Sequence, residues 1–259
     1  MNHKIKKISA LLLAAMFLCS CGSEIPVAVA PEPTAAAGTA DMSDKNPETG
    51  KAPAIEEAPA ASPEPSSEDD GPAHEPGPYF EGVRLRYTDG SGNDVKGGFV
   101  GVLEFDEDGY FTSGDEELDA MLIEELEKNV SPETQSRIEM LEIMYDYLVW
   151  NFGYRFATAH EEGETGWEAE DAKYMLEKRK GNCYTYAALM AMFARSLGYQ
   201  ANGIAGHFRG GEHSWAEIEE NGEYYICDAE YQACNDPYRS IFFRTYEEEY
   251  KNCYANPHE

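Results

Sequence analysis

Basic side chains are scarce in this chain: 20 Lys and Arg stand against 49 Asp and Glu in 259 residues, a formal net charge of -29. That deficit excludes the phosphate neutralisation on which nucleic-acid binding depends, and electrostatic adhesion to anionic lipid with it. Long hydrophobic runs are missing too. The apolar run near the N-terminus is about eleven residues, short of the roughly 20 that span a bilayer. From Gly22 to Pro78 there is no aromatic side chain, while eleven of the 14 prolines and twelve acidic against two basic residues fall there. Such a segment has too little apolar surface to offset the entropy of ordering, so residues 22–78 are expected to form a disordered Pro/Ala/acidic tether. Its average reach would be about 40 Å, lengthened by proline stiffness. Paired short Cys/His spacings are absent among Cys227, Cys234, Cys253 and His258, so no metal site is expected, and no motif calls for a cofactor.

What the N-terminus does contain is directional. Lys4, Lys6 and Lys7 precede the apolar run, which ends in Leu18-Cys19-Ser20-Cys21-Gly22. This is the layout of a secretory signal peptide. Its end resembles a bacterial lipobox, which implies that residues 1–21 are a leader, that Cys21 is lipidated as the mature N-terminus, and that Cys19 leaves with the leader. The expected location is extracytoplasmic, with lipid rather than charge holding the protein to the membrane.

The remaining segment, 79–259, is rich in Tyr, Phe, Leu and Met and long enough to bury one core. Its start, "YFEGVRLRYTDGSGNDVKGGFVGVLEF", alternates apolar and polar residues around a Gly/Asp/Asn-rich turn and predicts a hairpin. The acidic stretch Glu104 to Asp115 nearly follows a calcium-loop register, but Glu at its first position and Asp at its twelfth favour a tight acidic turn. Helices are predicted next. Ser113 with Glu116 forms a capping-box pattern ahead of a stripe of Leu118, Met121, Leu122 and Leu126. Ser131 and Pro132 suit the cap and first turn before Ile138, Leu141, Met144, Tyr145 and Leu148. A third helix from Trp167 is predicted to end with Gly181 at its C-cap.

The stretch "GNCYTYAALMAMFARSLGY" then puts Cys183 at the start of a helix with Ala187, Met190, Ala191, Ala194 and Leu197 at helical spacing and Gly198 closing it. At that position backbone N–H groups and the helix dipole favour an anion, which suits a thiolate nucleophile and an oxyanion formed beside it. A nucleophilic thiol needs a base, and the base an orienting group. Downstream, "EHSWAEIEENGEYYICDAEY" reads as two strands around Asn221-Gly222. A two-residue turn pairs Glu220 with Glu223 and sets Asp228 diagonal to His213. A four-residue turn sets them directly opposite. Either way the two share a face. Cys227 alternates to the other face, towards packing. His207, before "FRGGE", is a rival base better read as a rim residue. Cys234 and Cys253 are a candidate bridge outside the reducing cytoplasm.

Gly181-Asn182-Cys183-Tyr184 resembles the Gly-Gln-Cys-Trp nucleophile motif of transglutaminases. His213-Ser214-Trp215 resembles their His-x-Trp strand, and Tyr225-Ile226-Cys227-Asp228 their strand ending in Asp. The resemblance runs from about Ser131 to Gln232. It implies an α+β fold with a transglutaminase-like, papain-like core, in which the nucleophile helix packs on an antiparallel sheet carrying His and Asp. It also implies a catalytic triad of Cys183, His213 and Asp228, with Asn182, Trp167 and Trp215 as candidates for substrate or oxyanion contact. Asn182 and Tyr184 stand where the animal enzymes have Gln and Trp, and bacterial members of the superfamily include cysteine peptidases. The expected activity is therefore a membrane-anchored cysteine hydrolase, protease- or amidase-like, or an acyltransferase, acting on peptide amides through a thioester. The expected partners are peptide or protein substrates, wall peptides among them. The alternatives are a non-catalytic domain that binds peptide or wall polymer, a cross-linking transglutaminase, and a papain-like wall peptidase of another family.

Overall fold

A computed structural model describes residues 74–249 and 254–258; the leader, Cys21, most of the tether and Cys253 lie outside the described residues. The described chain opens with two hairpins rather than one. Strands β1 (Gly77–Glu81) and β2 (Arg84–Thr88) pair around Gly82, and β3 (Gly98–Val100) and β4 (Leu103–Phe105) pair around Gly101, with β5 (Phe111–Thr112) joining the second sheet. The Gly/Asp/Asn-rich segment is the expected turn: it links the two hairpins and closes a short antiparallel bridge of its own, Thr88 to Asp94, with Val95 N–H donating to the Tyr87 carbonyl. Asp89 caps it by accepting from the N–H groups of Ser91 and Asn93. The sequence signal was strong there because Asp and Asn satisfy their own backbone locally, whereas Gly82 and Gly101, both at positive φ, do the reversing. The acidic stretch 104–115 is likewise dispersed. Asp106 closes a turn with Tyr110, and Asp115 caps the following helix.

That helix, α1 (Glu116–Asn129), takes Asp115 as N-cap, not Ser113. Asp115 Oδ1 accepts from the N–H groups of Glu117 and Leu118, and Lys173 holds the same carboxylate. Helix α2 (Arg137–Asn151) begins five residues later than Pro132 would place it. Ser131 instead closes a turn by accepting from Thr134 and Gln135, and the true cap is Ser136, in a reciprocal capping box with Glu139. Ile138 is correspondingly exposed, while Met140, Leu141, Met144, Tyr145, Leu148 and Val149 face inwards. Ser136→Ala is expected to cost about 1 kcal/mol, read as a fall of about 2–4 °C in melting temperature.

After α2 the chain makes a two-residue strand, β6 (Gly153–Tyr154), and helix α3 (Glu168–Lys178). The left-handed residue ending α3 is Arg179 (φ 55°), not Gly181. An arginine is held there because its guanidinium reaches Glu125 on α1 and Tyr147 on α2. Gly181 is needed for a different reason. It lies in β7 (Lys180–Gly181), which pairs in parallel with β6, and a Cβ on it would sit 1.8 Å from Thr185 Oγ1.

Helix α4 (Cys183–Ser196) is the centre of the described fold. Twelve of its 14 residues are buried, against the single stripe expected from its spacing. Its alanines admit close neighbours on every side: α3, α2, the sheet and the short helix α5 (Ala229–Cys234). Arg137 on α2 donates to the carbonyls of Leu197 and Gly198, at the negative end of α4's dipole. Gly198 (φ 81°) then turns the chain into the sheet.

The sheet is antiparallel, in the order β11-β10-β9-β8, built from β8 (Gln200–Phe208), β9 (Gly211–Glu220), β10 (Glu223–Cys227) and β11 (Arg244–Thr245). Ala201, Ala205, Ala216, Ile218 and Cys227 belong to the core that α4 fills, and Trp215 and Ile226 belong to a second cluster with Tyr231, Ile241 and Tyr254. A short helix, α6 (Tyr246–Glu249), follows β11. The result is an α+β fold in which α4, with Cys183 at its start, packs on an antiparallel sheet. No described helix is long and apolar enough to cross a membrane.

Candidate active site

Three elements converge at the N-terminal end of α4. Cys183 is the first residue of that helix and is half-buried; its N-cap, Asn182, makes no side-chain cap. The Asn182 amide donates to the carbonyl of Thr158 at 2.6 Å, and its Oδ1 is buried without a hydrogen-bond partner. Thr185, one turn on, bonds back to the Asn182 carbonyl at 3.0 Å, fixing the entry to the helix.

His213 and Asp228 come from the β9–β10 hairpin. Asn221 (φ 57°) and Gly222 (φ 81°) make the turn alone, Glu220 pairs with Glu223, and Cys227 pairs with Ala216. This is the two-residue register, and it sets Asp228, just past the end of β10, diagonal to His213. His213 Nε2 lies 2.6 Å from Asp228 Oδ2. The Cys183 sulfur lies near enough to act on the charge of the ring, and with Nε2 engaged by Asp228, Nδ1 is the ring nitrogen left to serve the thiol. Burial disfavours a charged ring, but the Asp228 carboxylate and the Cys183 sulfur outweigh it and hold the imidazole well above its ordinary range.

Asp228 is itself tightly held. Its Oδ1 accepts from Tyr231 N–H at 2.9 Å as the N-cap of α5, its own N–H donates to Ile241, and its carbonyl lies 3.1 Å from the Tyr145 hydroxyl. Oδ2 accepts a second hydrogen bond, from Tyr254 Oη at 2.6 Å. Glu230 lies close by; among the described residues its carboxylate, His213 and Asp228 form the one group compact enough to hold a cation. Burial first, then the charge of Asp228, push Glu230 up to about 7. The donors already filling Asp228 make that trio a poor ligand set.

The other expected contacts are placed as follows. Trp167 stacks on His160 at 4.5 Å and meets Tyr184 edge-on, and its indole N–H donates to the Glu164 carbonyl. Trp215 donates to Tyr246 Oη. Both rings are buried beside the site, Trp167 with its centroid 6.0 Å from Tyr184 and Trp215 6.4 Å from His213, and both N–H groups are engaged by the partners just named. His207, at the end of β8, pairs with Glu162 at 3.4 Å, at the rim. Cys227 is buried, accepts from Phe243 N–H, and is pushed up to about 12 by burial.

Three residues at the site have no motif to announce them: His160, held between Asp171 and Glu164; Glu230; and Tyr254. Glu230, two residues after Asp228, was within reach of a register argument. Tyr254 was not, since a 26-residue separation carries no local signal.

Residues 124–229 match the Transglutaminase-like superfamily, a span that takes in Cys183, His213 and Asp228 and stops short of Glu230 and Tyr254. No curated protein matches the chain significantly.

Proposed function

From a transglutaminase-like superfamily domain at residues 124–229, we propose that this protein is a cysteine-nucleophile hydrolase or acyltransferase acting on peptide amides, anchored outside the cytoplasm by lipid on Cys21. The observation that carries this reading is the continuous chain from thiol to imidazole to carboxylate, closed at 2.6 Å between His213 and Asp228. Cys183 sulfur attacks the amide carbonyl carbon, and the α4 N-terminus favours the oxyanion that forms. The C–N bond breaks as His213 Nδ1 gives its proton to the leaving amine, and a thioester to Cys183 remains. Water or a second amine, deprotonated by His213, then attacks the thioester and restores the thiol. The cavity beside Tyr184, lined by Glu161, Glu162, Glu164, Glu212, His160 and His207, favours substrates that carry positive charge near the cleaved amide.

The test is incubation of the protein with peptide amides, with and without a primary amine, followed by intact-mass analysis. A thioester adduct on Cys183, absent from Cys183→Ala, is expected, and the amine arm separates transfer from hydrolysis. No adduct and no turnover with any peptide would favour the binding-domain alternative. Cys21→Ala is expected to release the protein from membranes or leave the precursor unprocessed, checked by fractionation and mass. Normal maturation and unchanged membrane partition would overturn the anchor.

A further inference from the structure

The described C-terminal segment, 254–258, contributes to the site from outside the span that matches the superfamily. It lies along the free edge of β8: Tyr254 bridges to Phe208, and Ala255 N–H donates to the His207 carbonyl at 2.9 Å. His258 fastens its far end, stacking on Tyr224 at 3.7 Å and bonding Glu217 at 2.9 Å. This attachment drives the Tyr254 ring into the cluster formed by Phe208, Trp215 and Tyr231, with 5% of its surface exposed. There its hydroxyl meets the same carboxylate oxygen that holds His213, at the same 2.6 Å.

We propose that Tyr254 is a positioning residue for the triad, its phenol donating to Asp228 Oδ2 so as to fix the carboxylate and limit how much of its charge falls on His213. This proposal rests on the functional reading above. Packing alone would be met by phenylalanine at this position; the hydroxyl adds one donor, and it is directed at the group that orients the base. With Tyr231 N–H on Oδ1, and His213 and Tyr254 on Oδ2, the carboxylate can neither rotate nor retreat. Burial, then the negative charge of Asp228, hold the phenol far above its ordinary range, so it stays a donor at every pH at which the enzyme would work. The hydrogen bond draws electron density from Oδ2. Removing it leaves more negative charge facing the imidazolium, which raises the pH at which His213 loses its proton.

Other charges bear on the same groups. Cys183 on α4 and Glu230 on α5 face His213; Tyr145 on α2, Cys227 on β10 and Glu230 face Asp228; Glu249 on α6 acts on Tyr254 and is itself paired with Arg239. Glu230, pushed up to about 7, titrates near neutrality, so its influence has to be separated.

The experiment needs no substrate. Cys183 alkylation is followed by mass spectrometry with iodoacetate and with iodoacetamide across pH, using the full chain. A neighbouring imidazolium accelerates the anionic reagent, so the rate ratio falls as His213 deprotonates, and its midpoint reports that step. Tyr254→Phe is expected to move the midpoint up by about 0.5 pH unit or more and, once a peptide substrate is in hand, to lower kcat about 10-fold with KM within about twofold. Tyr254→3-fluorotyrosine, installed at that one position, keeps the shape with a stronger donor and is expected to move the midpoint down. The upward shift is expected to persist in a Glu230→Gln background. A midpoint that stays in place in both Tyr254 variants, each with a wild-type melting temperature, overturns the proposal and reduces Tyr254 to packing. A wild-type protein that shows no preference for iodoacetate at Cys183 has no thiol–imidazole pair, and the functional reading falls first.

Discussion

Asp228→Asn is expected to lower kcat by about 10³- to 10⁴-fold on any peptide that the wild-type protein turns over, while leaving KM and the melting temperature much less affected. The carboxylate accepts from three donors, and an amide in its place offers one acceptor oxygen where two are in use. If the amide oxygen stays on Tyr231 N–H, its NH₂ faces His213 Nε2 and Tyr254 Oη, and the imidazole must present a lone pair there. The proton then sits on Nδ1, the atom that has to accept the thiol's proton, so the base is in the wrong tautomer. The pH dependence carries the sign. In the wild type, Asp228 is the main group that holds the His213 imidazole above its ordinary range against its own burial, so the alkaline limb of turnover is expected to lie above the ordinary histidine range. Without that carboxylate the limb is expected to move to lower pH, because a ring buried to this degree sheds its proton sooner. Measuring kcat against pH for both proteins checks it. An alkaline limb that stays in place would show that something other than Asp228 holds the charge.

Gly181→Ala is expected to destabilise the fold by about 1–3 kcal/mol, a fall of about 2–10 °C in melting temperature, and to reduce turnover beyond what unfolding explains. The added methyl would lie 1.8 Å from Thr185 Oγ1 and 2.8 Å from Met175 Sδ, in a region where Thr185 has no exposed surface and cannot swing away. The chain must yield instead. Gly181 and Asn182 lead directly into Cys183, so a shift of this segment is passed on to Cys183 at the start of α4. Urea unfolding and turnover at a temperature where the variant is folded separate the two effects. A variant as stable and active as wild type would show that Thr185 can turn to another rotamer without loss.

The site was legible in the sequence to an unequal degree. Cys183 could be placed because Gly181-Asn182 breaks one pattern and an apolar run starts another. His213 and Asp228 could be paired because a two-residue and a four-residue turn at Asn221-Gly222 both put them on one face of alternating strands; which of the two turns forms is visible only in the structure. The helix caps were harder. At α1 and α2 several Ser and Asp residues precede the first apolar position, and which one caps depends on tertiary partners such as Lys173. Arg179 was not foreseeable as the left-handed residue, since Glu125 and Tyr147, remote in sequence, stabilise it. The single stripe expected for α4 understated its burial because alanines count weakly on any hydrophobic scale, yet they are what let neighbours crowd every side of it.

That crowding determines how the protein would lose activity on heating. A helix enclosed on all sides has no face from which to fray, so its backbone amides should be among the slowest to exchange with solvent, released only when the whole domain opens. Asp228 sits differently. It caps α5, a helix of six residues, and leans on the short segment after it through Ile241. Partial opening would therefore release the orienting carboxylate while the thiol stayed in place. A warmed sample should pass through a state in which Cys183 is still shielded by its helix but its proton acceptor has lost direction. Inactivation would then precede global unfolding by a few degrees, and would reverse on cooling.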